Sequence, residues 1–474
     1  PSPLPKKMKQ NSYLLLYLSP LFAVADVYLP AIFSSNMVLQ QQSNVTVWGW
    51  AQPGEKVTVS GSWQSETVSV VTNENAVWKL TIATPKAGGG PHTLTVQGRN
   101  RIVLENVLMG EVWLCAGQSN MEWSADHGVK DAKAELPTAY NANMRFFKMP
   151  KLTAETPQTD AKGTWTVCDS LTLKRFSAVG YFFGKKLNQS LNVPIGLIDV
   201  AWGGSYIESW IPEHLVNLFP NTRTSAETMI PSKGWPRQAG YIYNGMVAPL
   251  TPFAIAGALW YQGESNRHYP STYYQLMHLM VDTWRGAWQK DFPFYYVQIA
   301  PFNYRDTTEF KAPAVREMQT RAMDIPKSGM VVITDLVDDL NNIHPVYKKE
   351  VGNRLAGWAL AETYRQNNGN YKSPQYKSLQ VDGAKAIVSF DHAESGLAAK
   401  GGPLTEFEVA GADRVFYKAQ ARIVKNNAVE VTSEKVSQPV AVRFAFRDTP
   451  VPNLFNKEGL PAMPFRTDDW KLGR

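Results

Sequence analysis

Val112-Trp113-Leu114-Cys115-Ala116 runs directly into Gly117-Gln118-Ser119-Asn120-Met121. The apolar run reads as a buried strand, and the glycine with small polar residues after it reads as a sharp turn. A strand with no polar alternation fits a parallel sheet covered by helices on both faces. Such sheets bind ligands beyond the carboxyl ends of their strands, which is where Ser119 stands.

Working outward, further continuous apolar strands are predicted at 195–201, 255–261, 294–300 and 329–334. Amphipathic stripes lie between or after them. Val179, Phe182, Phe183 and Leu187 form one, Tyr273, Leu276, Met277, Met280 and Trp284 a second, and Val351, Leu355, Trp358 and Ala359 a third. Strands alternating with helices predict an α/β fold over residues 106–368. Residues 215–240 are rich in turn formers and read as an insertion or lid.

Residues 26–105 carry a different period. Val45/Val47, Val57/Val59, Val68/Val70, Trp78/Leu80/Ile82 and Leu94/Val96 alternate with polar residues, punctuated by turns such as Gln52-Pro53-Gly54. Short alternating strands at this spacing predict a β-sandwich. Residues 369–474 turn β-like again, through Ala386-Ile387-Val388, Arg422-Ile423-Val424 and Val440-Ala441-Val442. They form either a sandwich of their own or a partner for the N-terminal one.

A length of 474 residues calls for two or three domains, and 44% apolar with 12% aromatic residues excludes a disordered chain. Residues 1–25 read as an export signal. Lys6, Lys7 and Lys9 precede the apolar run Leu14 to Phe22, and Ala23-Val24-Ala25 supplies small residues for cleavage ahead of Asp26. That run is too short to cross a bilayer comfortably, and no longer one follows. Three of the net +7 charges lie on those leader lysines, leaving +4, too mild for a nucleic-acid partner. Cys115 and Cys168 cannot make a zinc site alone; an exported chain could join them, and a buried free thiol fits Cys115 equally well. No metal or organic cofactor is implied.

Each chemically interesting residue follows a predicted strand. Ser119 follows the first, Trp202-Gly203-Gly204-Ser205 the second, and Gln262-Gly263-Glu264-Ser265-Asn266 the third. Ile343-His344-Pro345 closes the loop after strand 329–334 and opens a helix. Strand ends of a parallel sheet share one edge, so these residues converge. Ester cleavage needs a nucleophile, a base beside it and donors for the developing oxyanion. Ser119 fits the nucleophile and His344 the base. The Ser119 N–H, the Gly204 N–H and the Gln262 amide fit the oxyanion hole.

These motifs, without a Gly-x-Ser-x-Gly elbow, resemble the SGNH (GDSL-like) hydrolases rather than ordinary α/β-hydrolases. Within that superfamily the chain is most similar to the sialate O-acetylesterases. Gly117 to Met121, Trp202 to Ser205, Trp260 to Asn266, Ile343 to Pro345 and the tail Gly459 to Arg466 all carry the likeness, which covers nearly the whole chain after the leader. The resemblance implies an SGNH-type sheet and an exported serine esterase that removes O-acetyl groups from sialic acids. Many SGNH enzymes place an aspartate three residues before the histidine; here that residue is Asn341. Asp335, Asp338 or Asp339 is left to orient the base, with Asp339 taken as the third member and a Ser–His dyad as the other option.

Plainer roles exist for most of these residues. Gln262 could bond only to nearby backbone, and Glu264 is better suited to holding loops together than to acting as base. Ser205 and Ser265 are rival nucleophiles by position. His127 and His268 lie near enough to touch substrate, whereas His278, on a helix, reads as structural. A sialic acid carboxylate would suit an arginine fork, and Arg267 and Arg305 follow strand ends near the site. Two other functions use the same sequence: an acetyl esterase for xylan or another polysaccharide, and an inactive carbohydrate-binding protein.

Overall fold

The strand Arg101–Gly117 is 17 residues long and organises the protein. Its first part alternates between exposed and buried positions, and from Val107 onward every residue is buried. The alternating part pairs antiparallel with His92–Gln97. The buried part lies between Gly257–Tyr261 and Ile195–Asp199, parallel to both. One strand therefore serves two sheets, and the boundary expected between 105 and 106 falls inside it. The change of period seen in the sequence marks where solvent gives way to helices on both faces, not where the chain breaks.

The computed structural model describes Ser2 and residues 26–160, 162–230, 234–305, 310–366 and 369–472. The expected export leader, from residue 3 to 25, lies outside the described residues. The sheet runs in the order Ser328–Val331, Phe294–Val297, Gly257–Tyr261, Arg101–Gly117, Ile195–Asp199, Asn141–Lys148, Trp165–Cys168. All neighbours are parallel except the last pair. The expected strands are all present, though those at 294–300 and 329–334 end three residues early.

Helices cover the sheet where the stripes placed them. Ala178–Leu191 buries Val179, Phe182, Phe183 and Leu187. Tyr273–Trp288 buries Tyr273, Leu276, Met277, Met280 and Trp284. Lys348–Trp358 buries Val351, Leu355 and Trp358. The N-terminal strands build two antiparallel sheets, whose buried valines join the same core as Trp260 and Trp284.

The C-terminal strands pair only among themselves among the described residues and bury a separate core around Phe390, Phe407, Phe444 and Phe465. Buried Arg316 ties this region to the α/β sheet. Its guanidinium donates to the carbonyls of Ile299 and Ala300 on one side and of Arg447 and Asp448 on the other. Cys115 and Cys168 are both free and buried. No disulfide joins them, and burial pushes the Cys168 thiol up to about 12, which disfavours a reactive thiolate. No helix among the described residues is long and apolar enough to cross a membrane.

Candidate active site

Gly117 ends the central strand with φ +137, and a Cβ there would sit 2.3 Å from the Tyr261 carbonyl oxygen. Only glycine lets the chain leave the sheet this close to its neighbour. The next residues form a single helical turn, Ser119–Glu122. Ser119 opens it, so its N–H has no partner within the turn. The Ser119 Oγ lies 2.8 Å from His344 Nε2, across 225 residues of sequence. Both line a cavity of ≈ 550 Å³ at the carboxyl edge of the sheet.

Gly204 lines the same cavity with φ +70. Its N–H makes no hydrogen bond among the described residues, whereas the Gly203 N–H is held by Glu122 Oε2 at 2.8 Å. Glu122 also pairs with Lys151 at 2.6 Å, which anchors the glycine loop against the nucleophile turn. The Ser119 and Gly204 N–H groups are thus left for an oxyanion.

Gln262 does not join them. It is fully buried and donates to the Ser205 carbonyl at 3.0 Å and to Asn266 Oδ1 at 2.7 Å, while its Oε1 accepts from the Tyr273 hydroxyl. With both amide protons taken, it braces loops instead of facing the cavity. The amide that lines the cavity is Gln118, whose direction no sequence pattern marks.

Asp339 is also corrected. Its carboxylate accepts from the Asn341 N–H at 2.8 Å and is exposed, and no carboxylate among the described residues bonds to His344. Asp335 is taken by Arg354. The His344 backbone N–H is held by Asn342 Oδ1 at 3.0 Å. Its ring stacks on Trp123, with centroids 3.9 Å apart at an interplanar angle of 18°. Burial pushes the imidazole down to about 4, helped by Lys348 and His127 and opposed by Glu122. Ser119 and His344 thus meet with no carboxylate on the imidazole among the described residues, and the imidazole, pushed this low, is neutral at physiological pH.

Behind the pair lies a buried bracket. Asn120 Nδ2 donates to Glu264 Oε1 at 2.7 Å and to the Ile343 carbonyl at 3.0 Å. Asn120 Oδ1 accepts from Lys348 Nζ at 2.6 Å. One side chain thus joins the nucleophile turn, the Gln-Gly-Glu loop and the histidine loop. Glu264 holds loops, as its plainer role had it.

Among the remaining sequence candidates, Arg267 lines the cavity, its guanidinium 3.5 Å above the Tyr304 ring. Arg305 does not line it; it is exposed, in a left-handed conformation with φ 55, its N–H on Asn303 Oδ1. His127 and Ser265 line the wall. Ser205 is buried under Trp210, His268 bonds to Tyr206, and His278 pairs with Asp324. Trp235 and Lys151, both unforeseen, complete the rim.

The family profile described as carbohydrate esterase, sialic acid-specific acetylesterase matches residues 109–365. The sialate O-acetylesterase of Mus musculus is 28% identical over 417 residues, covering 75% of this chain and 77% of that protein. That of Homo sapiens is 28% identical over 403 residues, covering 76% and 75%. A solved structure, described as a novel carbohydrate acetylesterase from Xanthomonas citri, is 35% identical with a TM-score of 0.86, covering 94% of this chain and 100% of that one.

Proposed function

Because the chain belongs to the sialic acid-specific acetylesterase family of carbohydrate esterases, and so is a carboxylic ester hydrolase acting on carbohydrate acetates, we propose that its substrates are O-acetylated sialic acids and that Ser119 is acetylated during turnover. The 2.8 Å contact between Ser119 Oγ and His344 Nε2 carries the mechanism. Ser119 Oγ attacks the acetyl carbonyl carbon while His344 Nε2 takes the hydroxyl proton. The oxyanion forms against the N–H groups of Ser119 and Gly204. As the intermediate collapses, the C–O bond to the sugar breaks and His344 returns the proton to the leaving alcohol. Water, deprotonated by His344, then attacks acetyl-Ser119, releasing acetate and restoring the serine.

The sialic acid reading is supported by the family and by Arg267, which lines the cavity wall, while Lys151 on the same wall is paired with Glu122. A guanidinium fork matches a carboxylate, which acetylated xylan lacks. The order of Lys6, Lys7, Lys9, the apolar run and Ala23-Val24-Ala25 supports export, and N-terminal sequencing of the secreted or periplasmic protein should begin near Asp26.

Acetate release from 9-O-acetylated sialic acid and from acetylated xylan, by the wild type and Ser119→Ala, tests the whole reading. Loss of the nucleophile should cost about 10³-fold or more in kcat. Release from xylan alone keeps the mechanism and overturns the substrate. Release from neither, without labelling of Ser119 by a serine-reactive probe, leaves a carbohydrate binder.

A further inference from the structure

Ser119 and Trp123 stand at the two ends of one helical turn, with the Trp123 N–H bonded to the Ser119 carbonyl at 2.9 Å. A turn rises about 5.4 Å, so the nucleophile and the indole flank whatever lies against the turn. What lies there is His344. Its Nε2 meets Ser119 Oγ at 2.8 Å, and its ring face meets the indole with centroids 3.9 Å apart, tilted by 18°. The carboxylate that usually holds a catalytic imidazole is absent among the described residues, since Asp339 is spent on Asn341. A histidine held only by its backbone would swing about its side-chain torsions and lose the line to the serine.

We propose that Trp123 is the positioning residue for His344: its indole face does the work that an aspartate does in a triad, fixing the imidazole plane toward Ser119 and stabilising the imidazolium as it forms. The inference rests on Ser119 and His344 being the reacting pair. Stacking fixes the ring plane, and the Asn342 contact to the His344 N–H fixes the loop that carries it. An aromatic face also attracts a cation above it, so the contact strengthens when His344 takes the serine proton and acts mostly in the transition state. Trp123 is itself braced: its carbonyl accepts from the Ala178 N–H at 2.9 Å, and its indole continues to His127, with centroids 5.9 Å apart.

The test compares Trp123→Phe, Trp123→Leu and Trp123→Ala on a small aryl acetate, which carries no sugar for the indole to touch. Phenylalanine keeps a π-face, whereas leucine keeps apolar bulk without one. Trp123→Phe should stay within about 5-fold of wild-type kcat, while Trp123→Leu and Trp123→Ala fall by about 10- to 100-fold with KM nearly unchanged. The acid limb of kcat/KM should move down in the leucine variant, where the imidazole stays dry and the π-face that favours its cation is gone. Charged and titratable neighbours stay in place in every variant: Lys348 on the following helix, His127, Glu122 with its partner Lys151, Glu264 behind Asn120, and Arg267 across the cavity. Equal kcat for the phenylalanine and leucine variants, or an effect confined to KM, overturns the proposal. Ser119→Ala runs beside them. If it keeps full activity, the reacting pair itself is wrong; if it is inactive while Trp123→Leu is fully active, only the role of Trp123 is wrong.

Discussion

The buried ammonium of Lys348 donates to Asn120 Oδ1 at 2.6 Å, joining the helix that follows the base to the residue that follows the nucleophile. Lys348 is wholly buried, which pushes it down to about 7, while Glu264 on the far side of Asn120 pulls it back up. Glu264 is likewise raised by burial and held down by Asn120 and Lys348. The two charges make each other tolerable through the amide between them. Three loops distant in sequence are clamped by this single polar residue, directly beneath the reacting pair.

Replacing Asn120 by alanine should therefore damage two properties at once. The buried groups left without partners, Glu264 Oε1 and Lys348 Nζ, should cost about 1–3 kcal/mol each in stability. Loosened loops should shift Ser119 relative to His344, and a displacement of about 1 Å can cost about 10²-fold in kcat. Thermal unfolding and kcat at a temperature where the variant is folded check both. A folded Asn120→Ala enzyme with wild-type kcat would show that the clamp serves stability alone.

The acid limb of the pH profile should lie well below the usual histidine value. His344 is pushed down to about 4 by burial first, then by Lys348 and His127. Activity that depends on neutral His344 should thus persist down to about pH 4 and be level above pH 5. The stability sign follows from proton counts. Between about 4 and the ordinary value of about 6.5 the unfolded chain holds a proton on this residue that the folded chain does not, so His344 makes stability rise with pH there and fall as acid is added. Lys348→Met should move the kinetic limb upward, and Glu122→Gln should move it downward. Profiles of kcat/KM for the three proteins decide the matter; a limb near 6.5 in the wild type would contradict the buried, carboxylate-free setting.

Asp339→Asn should leave kcat within about 3-fold of wild type. The side chain is exposed and its contacts are to Asn341, so no charge is removed from beside the imidazole. In a triad the same change costs about 10⁴-fold. A loss of that size would mean that the loop rearranges during turnover to bring Asp339 onto His344.

The parallel sheet, its helices and the meeting of Ser119 with His344 were legible because each rests on a local signal. Val112 to Ala116 lacks polar alternation, Gly117 marks the exit from the sheet, and Ser119 and His344 each end a strand–loop unit. The strand-end rule then brings them together without knowledge of any contact. The supporting residues were not legible, because their roles depend on where side chains point. Gln262 and Gln118 both flank glycine at strand ends, yet one is turned into the core and the other toward the cavity. Asp339 sits at a plausible spacing but bonds locally, as short acidic side chains in loops often do. Trp123 left no trace beyond its distance from Ser119, and the 105/106 boundary falls inside one continuous strand because a period change need not be a chain break.

The two glutamines give the sharpest contrast. The Gln262 side chain has three hydrogen-bonding neighbours in the core, Ser205, Asn266 and Tyr273, and faces no solvent. Gln262→Ala should lower stability by about 2–4 kcal/mol, the cost of a broken buried network, while kcat of the folded enzyme falls less than about 10-fold. Gln118 accepts from the Gly263 N–H at 3.3 Å through Oε1, and its Nε2 makes no hydrogen bond among the described residues. Gln118 lines the cavity beside Ser119, and we propose its Nε2 as a third donor to the oxyanion. Loss of such a donor costs about 10²–10³-fold in kcat, so Gln118→Ala should lose rate while its melting temperature barely moves. Chemical denaturation and kcat for the two variants separate the roles. A Gln262→Ala enzyme that is folded but slowed by about 10²-fold at unchanged KM would return that amide to the oxyanion hole, and an unimpaired Gln118→Ala would leave the hole to the Ser119 and Gly204 N–H groups alone.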